Sequence, residues 1–171
     1  MLLAAAVAVV LAGSAAVVLS RQLAEDMDDT VRATGGTHPY LVAGWLPDGF
    51  DLAAAQWRAG ERSTLGLTYG GSTSADGQIS ILQAPGAEDE VGPLPAVASA
   101  EPRPTVVRGH RAVRARDNAN AGRQWAERPG AVVTVVATGV SDSELERFVE
   151  ALRPARADEI EDAVRQYGQS S

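Results

Sequence analysis

The sequence predicts an α+β protein: an N-terminal transmembrane helix, then a curved antiparallel sheet of about six strands packed by a C-terminal helix. Three observations predict it. Residues 2–19 carry no charge. Several runs between 40 and 138 alternate apolar with polar residues or are rich in Val and Thr, the signals of strands. Leu145, Phe148, Val149 and Leu152 fall at i, i+3, i+4 and i+7, the stripe of an amphipathic helix. On this reading the chain divides into an anchor (1–20), a helical stalk (21–38), an extracytoplasmic α+β domain (39–155) with a mobile loop at 84–104, and a C-terminal helix or tail (156–171).

The anchor comes first. As a helix, Leu2 to Leu19 rises about 27 Å, close to the ~30 Å hydrocarbon core of a bilayer. Its Leu and Val residues favour insertion, and Ala is near neutral. A cleaved signal peptide is the rival reading, with small residues at Ser14 and Ala16. Against it, the apolar run continues through Val17, Val18 and Leu19. Leu11-Ala12-Gly13-Ser14 has Ser where a lipobox needs its Cys, so no lipid is attached there. Arg21 argues for a cytoplasmic body, but it stands near Glu25, Asp26, Asp28 and Asp29. The expected arrangement is single-pass, with the body outside.

Arg21 to Arg32 reads as a helical stalk striped by Leu23, Met27 and Val31, ended by Gly35-Gly36. Strand candidates follow at Tyr40 to Trp45, Leu52 to Arg58, Ser63 to Tyr69, Gln78 to Gln83, Thr105 to Arg116, Arg123 to Glu127 and Ala131 to Thr138. Pro47-Asp48-Gly49 and Asp117 to Gly122 are turn signals. Ala84 to Pro104 holds Pro85, Pro93, Pro95, Pro102 and Pro104, and reads as a mobile excursion or a lid. Ser141 and Ser143 are both N-cap candidates, each with Glu three residues on, and Pro154 ends that helix. Asp158 to Tyr167 repeats the helical spacing with Ile160, Ala163, Val164 and Tyr167.

Composition narrows the chemistry. Net charge is −7, which disfavours nucleic acid as a partner. The absence of Cys excludes disulfides, thiolate metal sites and Cys nucleophiles. Lys is absent too. All fifteen basic residues are Arg, which together with abundant Ala, Gly and Val suggests a high-GC bacterial genome.

The order of signals resembles a family of small extracytoplasmic domains in Gram-positive membrane proteins, some of them at the C-terminus of anti-sigma-factor-like proteins. The residues that carry the resemblance are Trp45-Leu46-Pro47-Asp48-Gly49-Phe50, Leu67-Thr68-Tyr69 and Ile79-Ser80-Ile81-Leu82-Gln83. Val107-Arg108-Gly109-His110-Arg111-Ala112, Gln124-Trp125 and Ser143-Glu144-Leu145 complete it. The resemblance implies a fold related to lipoprotein carriers, in which helices close a curved antiparallel sheet. It implies no active site. The cytoplasmic sigma-binding region found ahead of the anchor in such proteins has no counterpart in these 171 residues.

No catalytic or metal-binding pattern stands out. His38 and His110 are far apart and belong to no ligand motif. The acidic runs at 25–29 and 88–90 lack calcium-loop spacing. No nucleophile-elbow, phosphate-loop or dinucleotide fingerprint is present. No enzymatic activity and no cofactor are therefore expected. One feature is unusual for an acidic chain: residues 103–128 hold seven Arg against two carboxylates. Arg108, Arg111, Arg114, Arg116 and Arg123 form the candidate interaction patch. It is either a solvated face paired with the acidic C-terminal helix, or a surface for an acidic lipid headgroup, envelope polymer or protein. The function expected is sensing or partner binding at the envelope, with carriage of a hydrophobic ligand in the curved sheet as the alternative.

Overall fold

The computed structural model describes residues 40–58, 64–71, 77–92, 94, 97, 100–127 and 130–167. The expected anchor and stalk lie outside these residues. Among the described residues, no helix is long and apolar enough to cross a membrane.

The strands are β1 (Leu41–Val42), β2 (Asp51–Arg58), β3 (Thr64–Gly70), β4 (Gln78–Pro85), β5 (Arg103–Val107), β6 (His110–Arg116), β7 (Asn120–Glu127), β8 (Ala131–Thr138) and β9 (Arg153–Pro154). Helix α1 covers Asp142–Glu150 and α2 covers Ala157–Tyr167. Seven strands form one antiparallel sheet in the order β2-β3-β4-β8-β7-β6-β5, and β1 pairs with β9 apart from it. Two meanders, β2–β4 and β5–β8, are thus joined edge to edge by β4 and β8.

The period-2 pattern explains the join. Ile79 and Ile81 of β4 stand beside Ala137 and Val135 of β8, all buried on the face the helices cover, here the inner face. Leu65 and Leu67 extend this stripe onto β3, and Trp125, at 0% exposure, extends it onto β7. Leu145, Phe148 and Val149 of α1 close over it, and Phe148 meets the Tyr69 ring edge-on at 5.8 Å. Ile160 of α2 is buried, with Ala163, Val164 and Tyr167 packed beside it. Gln83 is the buried polar exception. Its amide accepts from Leu41 N (2.6 Å) and donates to Leu41 O (2.8 Å), acting as a strand partner for β1 across the inner face.

The sheet has one strand more than the sequence predicts. Thr105 to Arg116 reads as one β segment, but the chain reverses at Arg108-Gly109. Both residues have positive φ, 50° and 80°, and Val107 pairs with His110 around them. This is the two-residue primed hairpin turn, whose twist matches that of the strands. Arg at its first position hid it. Three further boundaries move. Only Leu41–Val42 of the first strand candidate is paired, because its partner β9 is itself two residues long. β7 starts at Asn120, three residues before the expected strand, because Asp117 Oδ1 closes the turn by accepting from Ala119 N and Asn120 N. The first helix ends at Glu150, and Pro154 lies in β9. Ser141 is the N-cap: its hydroxyl accepts from Glu144 N, and the Glu144 carboxylate accepts from Ser141 N.

The segment from β4 to β5 crosses the outer face. Leu94 and Val97 are buried against Ala115, with Val113 and Val136 alongside. Gly92 N donates to Gln124 Oε1 at 2.8 Å. Gly122 lies beneath, where a Cβ would stand 3.0 Å from Leu94 Cδ1 and 3.1 Å from Val97 Cγ2. The Pro content reads as a free excursion, whereas these two apolar residues form a second small core. We predict that Leu94→Ala destabilises the domain by about 2–3 kcal/mol in urea unfolding. A loss below about 0.5 kcal/mol, the usual surface value, would show that the segment is not docked.

Candidate functional site: an arginine row at the open end of the sheet

The register divides the five candidate arginines among three places. Arg111 stands on the outer face, 91% exposed, with Glu88 at 3.8 Å. Arg108 stands in the hairpin turn. Arg114, Arg116 and Arg123 stand on the inner face, joined there by Arg103.

Arg108 is structural. Its Nη1 donates to Leu152 O (2.7 Å), Glu150 O (3.1 Å) and Val149 O (3.4 Å), carbonyls at and just past the end of α1. Val149 O also accepts from Leu152 N at 3.3 Å. Carbonyls at a helix end have no further turn to bond them, and a cation there also meets the negative end of the helix dipole. Glu127 holds the guanidinium from the other side, with Oε2 3.4 Å from Arg108 Nε. The same oxygen accepts from Trp125 Nε1 (2.5 Å), and His110 Nε2 lies 3.8 Å from Oε1. A cleft of about 170 Å³ opens beside this group, lined by Glu88, His110, Arg111 and Glu127. It brings a His and a carboxylate together, but Glu127 is committed to Arg108 and Trp125. Among the described residues, the lining holds no Ser, Thr or Cys nucleophile. Among the described residues, no three His, Asp or Glu converge as metal ligands.

The inner-face group is different. Arg103 pairs with Arg114, and Arg114 pairs with Arg123, so three arginines form a row across β5, β6 and β7. Like charges directly opposite one another repel. Only the α1 end of the row is compensated. Arg116 is ion-paired to Asp142. Arg123, at 9% exposure, donates to Gly122 O at 3.0 Å. Burial pushes the Arg123 guanidinium below its usual value, the charges of Asp142 and Glu146 pull it back up, and Arg114 and Arg116 press it down again. Arg103 and Arg114 are exposed, and among the described residues neither has an ion-pair partner.

The expectation that this arginine segment pairs with the acidic C-terminal helix is not met. α2 packs against β2, at the opposite edge of the sheet. Its carboxylates are taken by local arginines: Glu159 by Arg153, Asp158 by Arg156, and Glu161 and Asp162 by Arg165. Arg103 completes the row but was outside the candidate patch. A strand partner eleven residues on, four pairs beyond the turn, has no signature in local spacing. The resolvable signal was the hairpin at Arg108-Gly109, which sets Arg103 opposite Arg114.

No family model matches the chain, and no curated protein matches it. Among solved structures, the chain is similar to MucB in a crystal structure with MucA(peri). The identity is 20% and the TM-score 0.43, over 68% of this chain and 37% of that one. It is also similar to a chain in the Pseudomonas aeruginosa MucA/MucB complex, at 18% identity and a TM-score of 0.43, over 68% of this chain and 35% of that one. The chain thus spans about a third of the length of these solved chains.

Two predictions follow the geometry. Arg108→Met should cost about 2 kcal/mol of stability, since charge-assisted bonds to carbonyls are lost and Glu127 is left without its cation. A change within about 0.5 kcal/mol would show that the contact is idle. The second concerns acid. The bond from Arg153 is the largest influence lowering the Glu159 pKa, and the Ser141 hydroxyl does the same for Glu144. Groups with depressed folded values stabilise the fold above their unfolded pKa, and that stability is lost as pH falls through the folded value. Glu159→Gln should therefore flatten the decline of the melting temperature between about pH 5 and pH 3. An unchanged slope would contradict the assignment.

Proposed function

We propose that the chain is a non-enzymatic, membrane-anchored, extracytoplasmic interaction domain, and that the row Arg103–Arg114–Arg123 receives an acidic segment of a partner protein. The anchor, the outward-facing body and the Gram-positive setting enter this reading from the sequence. One observation carries the partner class: Arg103 and Arg114 are exposed, adjacent and unpaired among the described residues, in a chain of net charge −7. An approaching carboxylate relieves repulsion already present in the free domain, so electrostatic complementarity favours acidic partners and rejects basic ones.

A carrier of a hydrophobic ligand would need apolar volume on the inner face. There, Leu65, Leu67, Ile81, Trp125, Val133, Val135, Leu145 and Phe148 are fully buried against one another and the helices. No observation favours that second reading.

The test uses the full chain in a neutral detergent and fluorescently labelled poly-L-glutamate, followed by anisotropy. Arg103→Glu with Arg114→Glu should weaken binding at least about tenfold, equivalent to ~1.4 kcal/mol. Arg111→Glu, on the outer face, should change it less than about twofold. Equal effects from the two faces would contradict the site. Binding to phosphatidylglycerol vesicles without binding to poly-L-glutamate would move the ligand to the lipid surface and overturn the protein-partner reading.

A further inference from the structure

We propose that β5 receives the partner as an added strand: an extended segment whose carboxylates alternate with β-branched residues. The proposal rests on the acidic-partner reading and specifies how that partner is held.

Among the described residues, β5 ends the strand order of the seven-stranded sheet and is paired with β6 on one side only. Its hydrogen-bond phase follows from the hairpin. In a two-residue hairpin the closing pair, Val107 with His110, exchanges both backbone bonds, and pairs then alternate. Thr105–Ala112 and Arg103–Arg114 are therefore bonded pairs, whereas Val106–Arg111 and Pro104–Val113 are not. Pro104, which has no N–H, falls at a position that needs none, as edge-strand prolines do. By the same alternation, the Val106 N–H and C=O and the Pro104 C=O face the open edge. The next outward donor, Arg108 N, is already engaged with Glu150 Oε1 at 3.4 Å. The edge thus offers one donor and two acceptors.

The opposite edge is less receptive. β2 carries a bulge between Leu52 and Ala54, and α2 packs against it. A bulge twists an edge away from pairing. β5 guards itself differently, by its short length and by Pro104. Backbone bonds alone are then too few to hold an arbitrary strand, so side chains decide which strand is accepted.

Those side chains specify a pattern. Residues of an added strand alternate between faces. On the inner face they stand beside Arg103, with Arg114 behind it. On the outer face they stand beside Val106, a large apolar side chain at 69% exposure. A carboxylate suits the first position and a β-branched residue the second, since opposite charges and apolar pairs both stabilise cross-strand neighbours. Charge complementarity with the unpaired end of the row selects an acidic strand over a second copy of β5, which carries the same arginine and no carboxylate.

The experiment compares two labelled octapeptides of equal composition, one alternating Glu with Thr and Val, the other with all its Glu contiguous. The full chain should bind the alternating peptide at least about tenfold more tightly. Val106→Pro removes the outward N–H and the exposed Val106 side chain but no bond to β6, so the melting temperature should stay within a few degrees while binding of the alternating peptide falls at least about tenfold. If Val106→Pro binds normally while Arg103→Glu with Arg114→Glu does not, strand addition is overturned and the acidic-partner reading survives. If neither variant weakens binding, both fall. Should Val106→Pro fail to fold, amide hydrogen exchange on the unaltered chain decides. The Val106 amide must slow on adding the alternating peptide, and unchanged exchange there overturns the proposal.

Discussion

Two helices of nine and eleven residues have to cover the inner face of a seven-stranded sheet. At ~4.8 Å between strands the sheet is roughly 29 Å wide, and each helix with its side chains is roughly 10 Å across. The segment Tyr40 to Val42 covers part of the remainder, and what is left must be fit to meet water. The distribution of residue types follows. Where α1 and α2 lie, the face is Leu, Ile, Val, Phe and Trp. At the β5–β6 end the same face keeps Val107 and Ala112 in the core and otherwise turns to Arg103, Thr105, Arg114 and Arg116. An apolar surface there would be an aggregation site; a charged one is soluble and selective.

The same limit explains how α1 is held. Its N-terminus is tied by the Ser141 capping box and by Asp142 with Arg116, and its C-terminus by Arg108. The helix therefore runs antiparallel to β6, and its acidic first turn compensates only the nearer arginines. Arg123 is drawn under Asp142 and Glu146, whereas Arg114 and Arg103 lie progressively farther from them in register. The gradient from a buried, compensated arginine to exposed, unpaired ones follows the distance across the strands, from β7 out to β5, from the carboxylates of α1.

Much of this was legible in the sequence, and the failures share a cause. The alternation in Leu65, Leu67 and Tyr69, the Val-rich β8 and the i, i+3, i+4, i+7 stripe of α1 are local patterns, and each produced the expected element. The choice between Ser141 and Ser143 was open, because both satisfy the capping pattern and only the chain direction into the helix decides. The Arg108-Gly109 turn was missed because Arg seldom takes positive φ. The burial of Leu94 and Val97 was missed because it depends on Gly122, nearly thirty residues on, leaving room for them. The arginine cluster was visible as composition. Its division into a helix clamp, an outer-face residue and an inner-face row required the register of three strands, which no local signal carries. Pairing with α2 seemed natural from net charge alone, but the carboxylates of α2 are satisfied within four residues or by Arg153.

The central claim is that the uncovered, arginine-bearing end of the inner face is the recognition surface and that the helix-covered remainder is not. A backbone amide shift map of the full chain, recorded during titration with poly-L-glutamate, tests it most directly. The account predicts shifts concentrated at Arg103 to Val106 and at Arg114, fading toward Arg123, with β2, β3 and α2 unmoved. Shifts centred on Arg111 and the Glu88–His110 cleft, or spread over α2, would contradict it.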